Sequence, residues 1–271
     1  MGHVDAALRP SAMELPLPWG SVVRGVRWGA GPDRVLLLHE PGADIDAWGT
    51  LPAQLAQSLG VEALAIDLPG HGLSDNPWDP AMIAEVVRLL NSGPLAAAIA
   101  SHPPSSVKPG EVNTSTQASE AERQFIIAAG SVASKILALA VELRLSGLVV
   151  LSPATVSESE PDASAVPPPA PGTKTDGARE AMAAIPKLFI AGSHAGDDLD
   201  TARRLASTSH GWTVVTSLPV PERGTSLFRT TWQTRLCEEI TAFLRDCMHP
   251  TPAFLPPRPI APQLPSQTDS R

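Results

Sequence analysis

Short apolar runs alternate with helical patterns along most of this chain, and that alternation restricts its fold more than any other feature. A fully apolar run such as residues 35–38 suits a strand that is buried on both faces of a sheet. The strand-like runs are residues 15–18, 22–28, 34–39, 63–67, 125–129, 147–151, 187–191 and 212–218. Helical patterns occur at 47–59 and near 80–92, 132–145, 177–184, 198–208 and 230–246. The pattern predicts an α/β fold with a mostly parallel eight-stranded sheet and helices on both faces.

Proline marks the segments that do not follow this alternation. The chain has 29 prolines among 271 residues, about twice the usual frequency. Many of them lie between residues 153 and 171 or after His249, where large apolar side chains are few. We therefore predict one domain at residues 1–248, with a Pro-rich loop at 153–172, and a disordered Pro-rich tail at 249–271.

Charge and cysteine content exclude several functional classes. The 28 acidic residues outnumber the 20 lysines and arginines by 8, which argues against a nucleic-acid partner. We find no apolar stretch typical of a membrane span or a signal peptide, and we expect a cytoplasmic protein. Cys237 and Cys247 are ten residues apart on one predicted helix, a spacing that indicates two reduced thiols. We expect no metal and no cofactor.

Three segments carry recognisable motifs, in a consistent chain order. Residues 36–48 read LLLHEPGADIDAW, residues 65–75 read AIDLPGHGLSD, and residues 125–140 contain a strand, a small-x-Ser-x-small turn and a helix. Over roughly residues 20–246 the chain resembles the α/β-hydrolase superfamily, whose serine esterases have a His-Gly loop, a Pro-Gly-His-Gly turn and a nucleophile elbow. The resemblance implies an α/β-hydrolase fold, here with the Pro-rich loop in place of a substantial lid.

The resemblance implies that Ser131 is the nucleophile. Ala129 and Ala133 are small enough to flank a sharp turn, and the helix that follows would direct the Val132 N–H at an oxyanion. The alternative is that Ser131 only caps an Ala-rich helix.

The acid of a triad would follow the seventh strand, where Asp197 is the first candidate. Asp197 could instead cap the next helix. The loop after the sixth strand offers a weaker alternative, with Glu158, Glu160 and Asp162.

Two positions depart from the superfamily pattern. Arg223 stands where the general base should be a histidine, and a guanidinium is not deprotonated in a protein. The second oxyanion donor falls on Pro41, which has no N–H, and Glu40 places a carboxylate beside it. Loss of one such donor typically costs about 2.7–4 kcal/mol of transition-state stabilisation.

Other groups could take over the role of the missing base or give the site a different use. His194, in the loop after the seventh strand, is the strongest substitute base, and Lys135 is a weaker one, four residues after Ser131. Alternatively, Arg223 forms a bidentate ion pair with Asp197, with Glu40 as a second carboxylate. Such a site would be closed or would receive an anion.

Two functional hypotheses follow. The first is a weak or non-hydrolytic protein, a pseudoenzyme that binds a small ligand, with an anion as one candidate, or serves as a scaffold. The second is an active hydrolase of a small ester or amide that uses Ser131, Asp197 and His194.

Overall fold

Eight strands form a single sheet in the computed structural model, which describes residues 9–75, 79, 82–91, 123–140, 142–154 and 185–250. The strands are β1 Ser11–Pro16, β2 Val22–Trp28, β3 Arg34–Leu38, β4 Glu62–Ile66, β5 Gln124–Ala129, β6 Gly147–Leu151, β7 Lys187–Gly192 and β8 Thr213–Leu218. Their order across the sheet is β1-β2-β4-β3-β5-β6-β7-β8. The strands β4, β3, β5, β6, β7 and β8 pair in parallel, whereas β2 is antiparallel to both of its neighbours. The predicted mostly parallel eight-stranded sheet is confirmed.

Helices cover both faces of this sheet. They are α1 Leu51–Leu59, α2 Met82–Asn91, α3 Gly130–Leu139, α4 Asp198–Thr208 and α5 Gln233–Met248, with two short 3-10 helices at Ile45–Trp48 and Gly224–Arg229. Side chains of α2, α3 and α4 join one apolar layer, and those of α1 and α5 join the other. Alternate residues of β3 enter the two layers, Leu36 and Leu38 on one side and Val35 and Leu37 on the other. All five side chains of β3 are buried, as the apolar run predicted.

Several predicted boundaries shift for local reasons. The first strand is Ser11–Pro16 instead of 15–18, because Met13 and Leu15 alternate with the exposed Glu14 at the sheet edge. Gly49 has φ +55° and divides the predicted helix 47–59 into a 3-10 helix and α1.

A further shift affects the site directly. The helix predicted at 132–145 runs from Gly130 to Leu139, so it begins as soon as β5 ends. The predicted helix at 177–184 lies outside the described residues, as do nearly all of the Pro-rich loop and the tail. Cys237 and Cys247 are free thiols.

Candidate active site

The turn between β5 and α3 is made by Gly130. This glycine has φ +60°, in the left-handed region that residues with a Cβ rarely occupy. Ser131 is the second residue of α3, is partly exposed, and does not line the cavity described below. The N-cap residue of the helix is Ala129, so the alternative in which Ser131 caps the helix is wrong. The sharp turn that we assigned to Ser131 is therefore one residue earlier, at Gly130.

The first backbone amide after this turn also belongs to a different residue from the one predicted. Because Gly130 occupies the turn, the N–H that follows it is that of Ser131, and Val132 comes one residue later. The Val132 side chain is fully buried in the apolar layer beneath α3. Lys135 is partly exposed on the same helix, and it is not among the residues that line the cavity.

A cavity of about 380 Å³ lies where several parallel strands end. Its lining comes from the segments that follow β3, β5, β6, β7 and β8, so residues far apart in sequence meet at one sheet edge. The lining residues are Glu40, Gly130, Ser152, Pro153, Ala154, Asp197, Asp198, Thr201, Arg223 and Gly224.

Glu40 spans the space between two glycines of this cavity. A Cβ added to Gly130 would lie only 2.7 Å from the Cβ of Glu40. A Cβ on Gly224 would lie 2.6 Å from Glu40 Oε1. The Thr225 amide donates to both carboxylate oxygens at 3.0 and 3.1 Å, and the Thr225 hydroxyl donates to Oε1 at 2.8 Å. Glu40 thus occupies the room that side chains at positions 130 and 224 would need, and its carboxylate binds Thr225 rather than Arg223.

Arg223 forms an ion pair across the cavity, but with a different aspartate from the one expected. Its Nη2 lies 2.9 Å from Asp198 Oδ1, and its Nε donates to the Ala195 carbonyl oxygen at 3.1 Å. Asp197, the predicted partner, is exposed at the N-cap position of α4 and makes no side-chain capping hydrogen bond. The predicted Arg223–Asp197 pair is therefore wrong by one residue. The reason is that α4 starts at Asp198 and turns that carboxylate inward.

Asp198 and Ser152 form a buried polar corner of the cavity. Asp198 is 6% exposed and Ser152 is 3% exposed, and Ser152 has φ +44°. Burial raises the pKa of Asp198, while the charge of Arg223 and the neighbouring Ser152 hydroxyl act in the opposite direction. Within the described part of the chain, Asp198 Oδ2 and Ser152 Oγ have no partner at hydrogen-bonding geometry.

Among the described residues, no histidine lines the cavity. His194 is exposed in the loop after β7, where its backbone N–H donates to the Val220 carbonyl at 3.1 Å. His39 is fully buried beside the cavity, and both of its ring nitrogens are in use. Its Nδ1 lies 2.8 Å from the Glu40 carbonyl oxygen, and its Nε2 accepts the Leu68 amide at 3.0 Å. Burial lowers the pKa of His39, which keeps this ring neutral and structural.

Pro41 lies in a tight turn outside the cavity lining. The Ala43 N–H donates to the Glu40 carbonyl oxygen at 3.1 Å, and Gly42 has φ +87°. Proline followed by a glycine of positive φ is typical of a type II turn, which explains both residues by local geometry. The turn leaves no amide at position 41 to face the cavity. The alternative acids Glu158, Glu160 and Asp162 lie outside the described residues.

Comparison with solved structures identifies this architecture. A protein from Thermoplasma acidophilum, described as a predicted CIB-like hydrolase, superimposes with a TM-score of 0.60 at 14% identity, over 88% of this chain and all of that one. An esterase from Pyrococcus furiosus gives 0.57 at 12% identity over 89% and 91%, and a serine hydrolase homologue from Coxiella burnetii gives 0.54 at 12% over 87% and 96%. The chain has the α/β-hydrolase fold.

Sequence comparison finds a shorter match. An esterase of Mycobacterium tuberculosis is 36% identical over 69 residues, which are 24% of this chain and 22% of the length of that curated relative. No family model matches the chain. In the described part of the chain, none of the helices is long and apolar enough to pass through a membrane.

The α/β-hydrolase fold allows the cavity residues to be compared with the positions that the sequence indicated. Gly130 is at the strand-to-helix turn after β5, and Arg223 and Gly224 follow β8. Sequence reasoning missed Gly130, although only a glycine in that segment takes a left-handed turn without strain. It also missed Ser152 and Thr225, which no motif marks, and it chose Asp197, whereas the adjacent Asp198 pairs with Arg223.

Proposed function

We propose that this chain is a non-hydrolytic or very weakly hydrolytic protein of the α/β-hydrolase fold that binds a small molecule at a remodelled site. One observation carries the proposal. Glu40 lies against Gly130 at the turn after β5, with 2.7 Å between its Cβ and a Cβ built on that glycine. A nucleophilic side chain at the turn would collide with Glu40, and the residue present there has no side chain.

The groups around this contact support the same conclusion. A general base must accept a proton from the nucleophile, and the permanently protonated Arg223 cannot do so. The Arg223 guanidinium is engaged by Asp198 and by the Ala195 carbonyl. The Glu40 carboxylate adds negative charge beside any developing oxyanion. Pro41 offers no second amide, which by itself corresponds to about 2.7–4 kcal/mol.

The alternative hypothesis, an active hydrolase with Ser131, Asp197 and His194, requires an imidazole within hydrogen-bonding reach of the Ser131 hydroxyl. The exposed His194 and the partly exposed Ser131 both lie outside the cavity lining, and this placement favours the non-hydrolytic hypothesis. The cytoplasmic location that the composition indicates stays a prediction.

A fluorophosphonate probe tests the proposal directly, because it labels a serine only where a base activates the hydroxyl. We expect the intact mass of the native chain to remain unchanged after incubation. The matched control is Ser131→Ala, which should behave identically. Stoichiometric labelling of the native chain that disappears in Ser131→Ala would contradict the proposal and restore Ser131 as a nucleophile.

A restored variant sharpens the result. The triple substitution Glu40→Gly, Gly130→Ser and Arg223→His makes room for a serine at the turn and supplies an imidazole beside Asp198. We expect this variant to be labelled slowly, since Pro41 still lacks the second amide. The matched control carries Gly130→Ala in place of Gly130→Ser and should stay unlabelled.

A further inference from the structure

The charges that line the cavity favour a cation. Glu40, Asp197 and Asp198 contribute three carboxylates, and Arg223 contributes the one guanidinium. A concave site with an excess of one sign of charge concentrates ligands of the opposite sign. Among the described residues, no three acidic, histidine or cysteine side chains are grouped so that they could hold a metal ion. The charge pattern therefore fits an organic cation better than a metal.

The polar corner of the cavity supplies a second, independent observation. Asp198 Oδ2 and Ser152 Oγ belong to side chains that are more than nine-tenths buried, both residues line the cavity, and neither oxygen has a partner in the described part of the chain. A carboxylate oxygen can only accept hydrogen bonds, and a hydroxyl can accept as well as donate. The Ser152 hydroxyl is near enough to Asp198 to lower the pKa of that carboxyl, but no hydrogen bond of good geometry joins them, so both oxygens can still accept a donor from a ligand. An ammonium group carries donors only, together with the positive charge that the cavity favours.

We infer that the cavity binds a small organic cation, a primary or secondary ammonium whose N–H groups donate to Asp198 Oδ2 and Ser152 Oγ. This inference rests on the proposed function, because it assigns the remodelled site a ligand instead of a hydrolytic substrate. The volume of about 380 Å³ is at the lower end of ordinary ligand pockets, so the ligand is small.

Arg223 explains how such a ligand reaches the buried corner. Its guanidinium already pairs with Asp198 Oδ1, yet the side chain is 60% exposed. The Arg223 guanidinium is thus an internal cation, held by one Asp198 oxygen and the Ala195 carbonyl, at the end of a side chain that is largely exposed to solvent. We expect an outward rotation of Arg223, which breaks these contacts, to open a path to Asp198 Oδ2. The same contacts disfavour an anionic ligand, since the Arg223 donors are directed at Asp198 and the Ala195 carbonyl.

Three probes of matched size separate charge from shape: n-butylammonium, 1-butanol and butyrate. Binding to the full chain is measured by ligand-observed NMR and titration calorimetry at pH 8, a pH chosen because burial raises the pKa of Asp198. We expect n-butylammonium to bind in the millimolar range and at least about ten-fold more tightly than butyrate or 1-butanol.

Matched variants locate the site. Asp198→Asn should weaken n-butylammonium binding at least about ten-fold, and Ser152→Ala should weaken it a few-fold. Asp200→Asn is the control, because it removes the same charge from α4 at an exposed residue outside the cavity lining. It should leave the affinity within about two-fold. Thermal unfolding shows whether each variant is folded. If Asp198→Asn does not fold, Ser152→Ala provides the test.

The inference is overturned if butyrate binds more tightly than n-butylammonium, if Asp198→Asn and Ser152→Ala bind like the native chain, or if no probe binds at tens of millimolar. Its failure is distinguishable from failure of the proposed function. Fluorophosphonate labelling of the native chain contradicts the proposed function whether or not n-butylammonium binds. An unlabelled chain that binds none of the cationic probe contradicts only the present inference.

Discussion

Two aspartates at the ends of parallel strands have opposite surroundings in this molecule. Asp67, after β4, is 1% exposed and accepts the Ile45 amide on Oδ1 at 3.0 Å and the Leu73 amide on Oδ2 at 2.8 Å. Asp198, after β7, has one oxygen paired with a largely exposed arginine and the other without a described partner. The first carboxylate binds the backbone amides of two loops, and the second lines the cavity.

The comparison shows which parts of the recognised motifs are maintained by packing. The Pro-Gly-His-Gly turn wraps around Asp67 so closely that a Cβ on Gly72 would lie 2.1 Å from its Oδ2. The Ser74 hydroxyl donates to the Asp67 carbonyl at 2.7 Å, which ties the end of the turn to β4. A side chain at position 72 would therefore collide with the Asp67 carboxylate. At the cavity, by contrast, Glu40, Gly130 and Arg223 differ from the expected pattern while the sheet stays intact.

The largest difference should appear when each aspartate is replaced by its amide. In Asp67→Asn, the NH2 group would face a backbone N–H, so one buried donor would lose its acceptor. We therefore expect a loss of about 3 kcal/mol in the free energy of unfolding. In Asp198→Asn, the amide oxygen can still accept from Arg223 while the NH2 group faces Ser152, and we expect a change within about 1 kcal/mol. Urea unfolding of both variants, with unchanged m-values, measures the difference. Equal losses in the two variants would contradict the contrast between Asp67 and Asp198.

A smaller effect should reveal the contact between Glu40 and Gly130. We expect Gly130→Ala to cost about 2–3 kcal/mol, because a left-handed alanine is strained and its Cβ would press on Glu40. In a Glu40→Gly background the steric part disappears and only the backbone strain, about 1–2 kcal/mol, remains.

The double-mutant cycle formed by Glu40→Gly and Gly130→Ala isolates this contact. We expect a coupling free energy of about 1 kcal/mol from equilibrium unfolding. Additivity within about 0.5 kcal/mol would mean that Glu40 does not restrict the turn.

The smallest effect is an opposite pH dependence of the two regions. His39, which holds the Leu68 amide beside Asp67, has a pKa lowered by burial, so its contribution to stability is present above pH 6.5 and is lost as the pH falls through its folded-state value. Asp198 has a pKa raised by burial, so its contribution to stability increases as the pH falls through its folded-state value toward 3.8.

Unfolding midpoints of the native chain, His39→Gln and Asp198→Asn between pH 8 and pH 4 separate these contributions. His39→Gln should reduce the loss of stability below pH 6.5, and Asp198→Asn should increase the net loss on acidification. A native-like profile in both variants would show that neither group controls the pH dependence.

Much of the architecture could be predicted because it depends on local pattern. Seven of the eight strands coincide with their predicted ranges to within one residue at each end, since a short apolar run bounded by polar residues is typical of a strand. The predicted helix boundaries are wrong near Gly49 and Gly130, where a single glycine of positive φ sets the boundary. The prediction placed the serine in the turn because the motif favours a serine there, whereas the backbone needed the residue without a Cβ.

By itself the sequence determined the fold class and two chemical exclusions: Arg223 cannot act as a base, and Pro41 cannot donate an amide hydrogen bond. These exclusions are properties of single residues and need no coordinates. Only the tertiary structure decided that Glu40 reaches Thr225, that Arg223 pairs with Asp198 instead of Asp197, and that Ser152 shares a buried corner with Asp198. The physical reason is that five strand ends, separated by up to 180 residues, meet at this edge. A shift of one residue at the start of α3 or α4 changes which side chain faces the cavity.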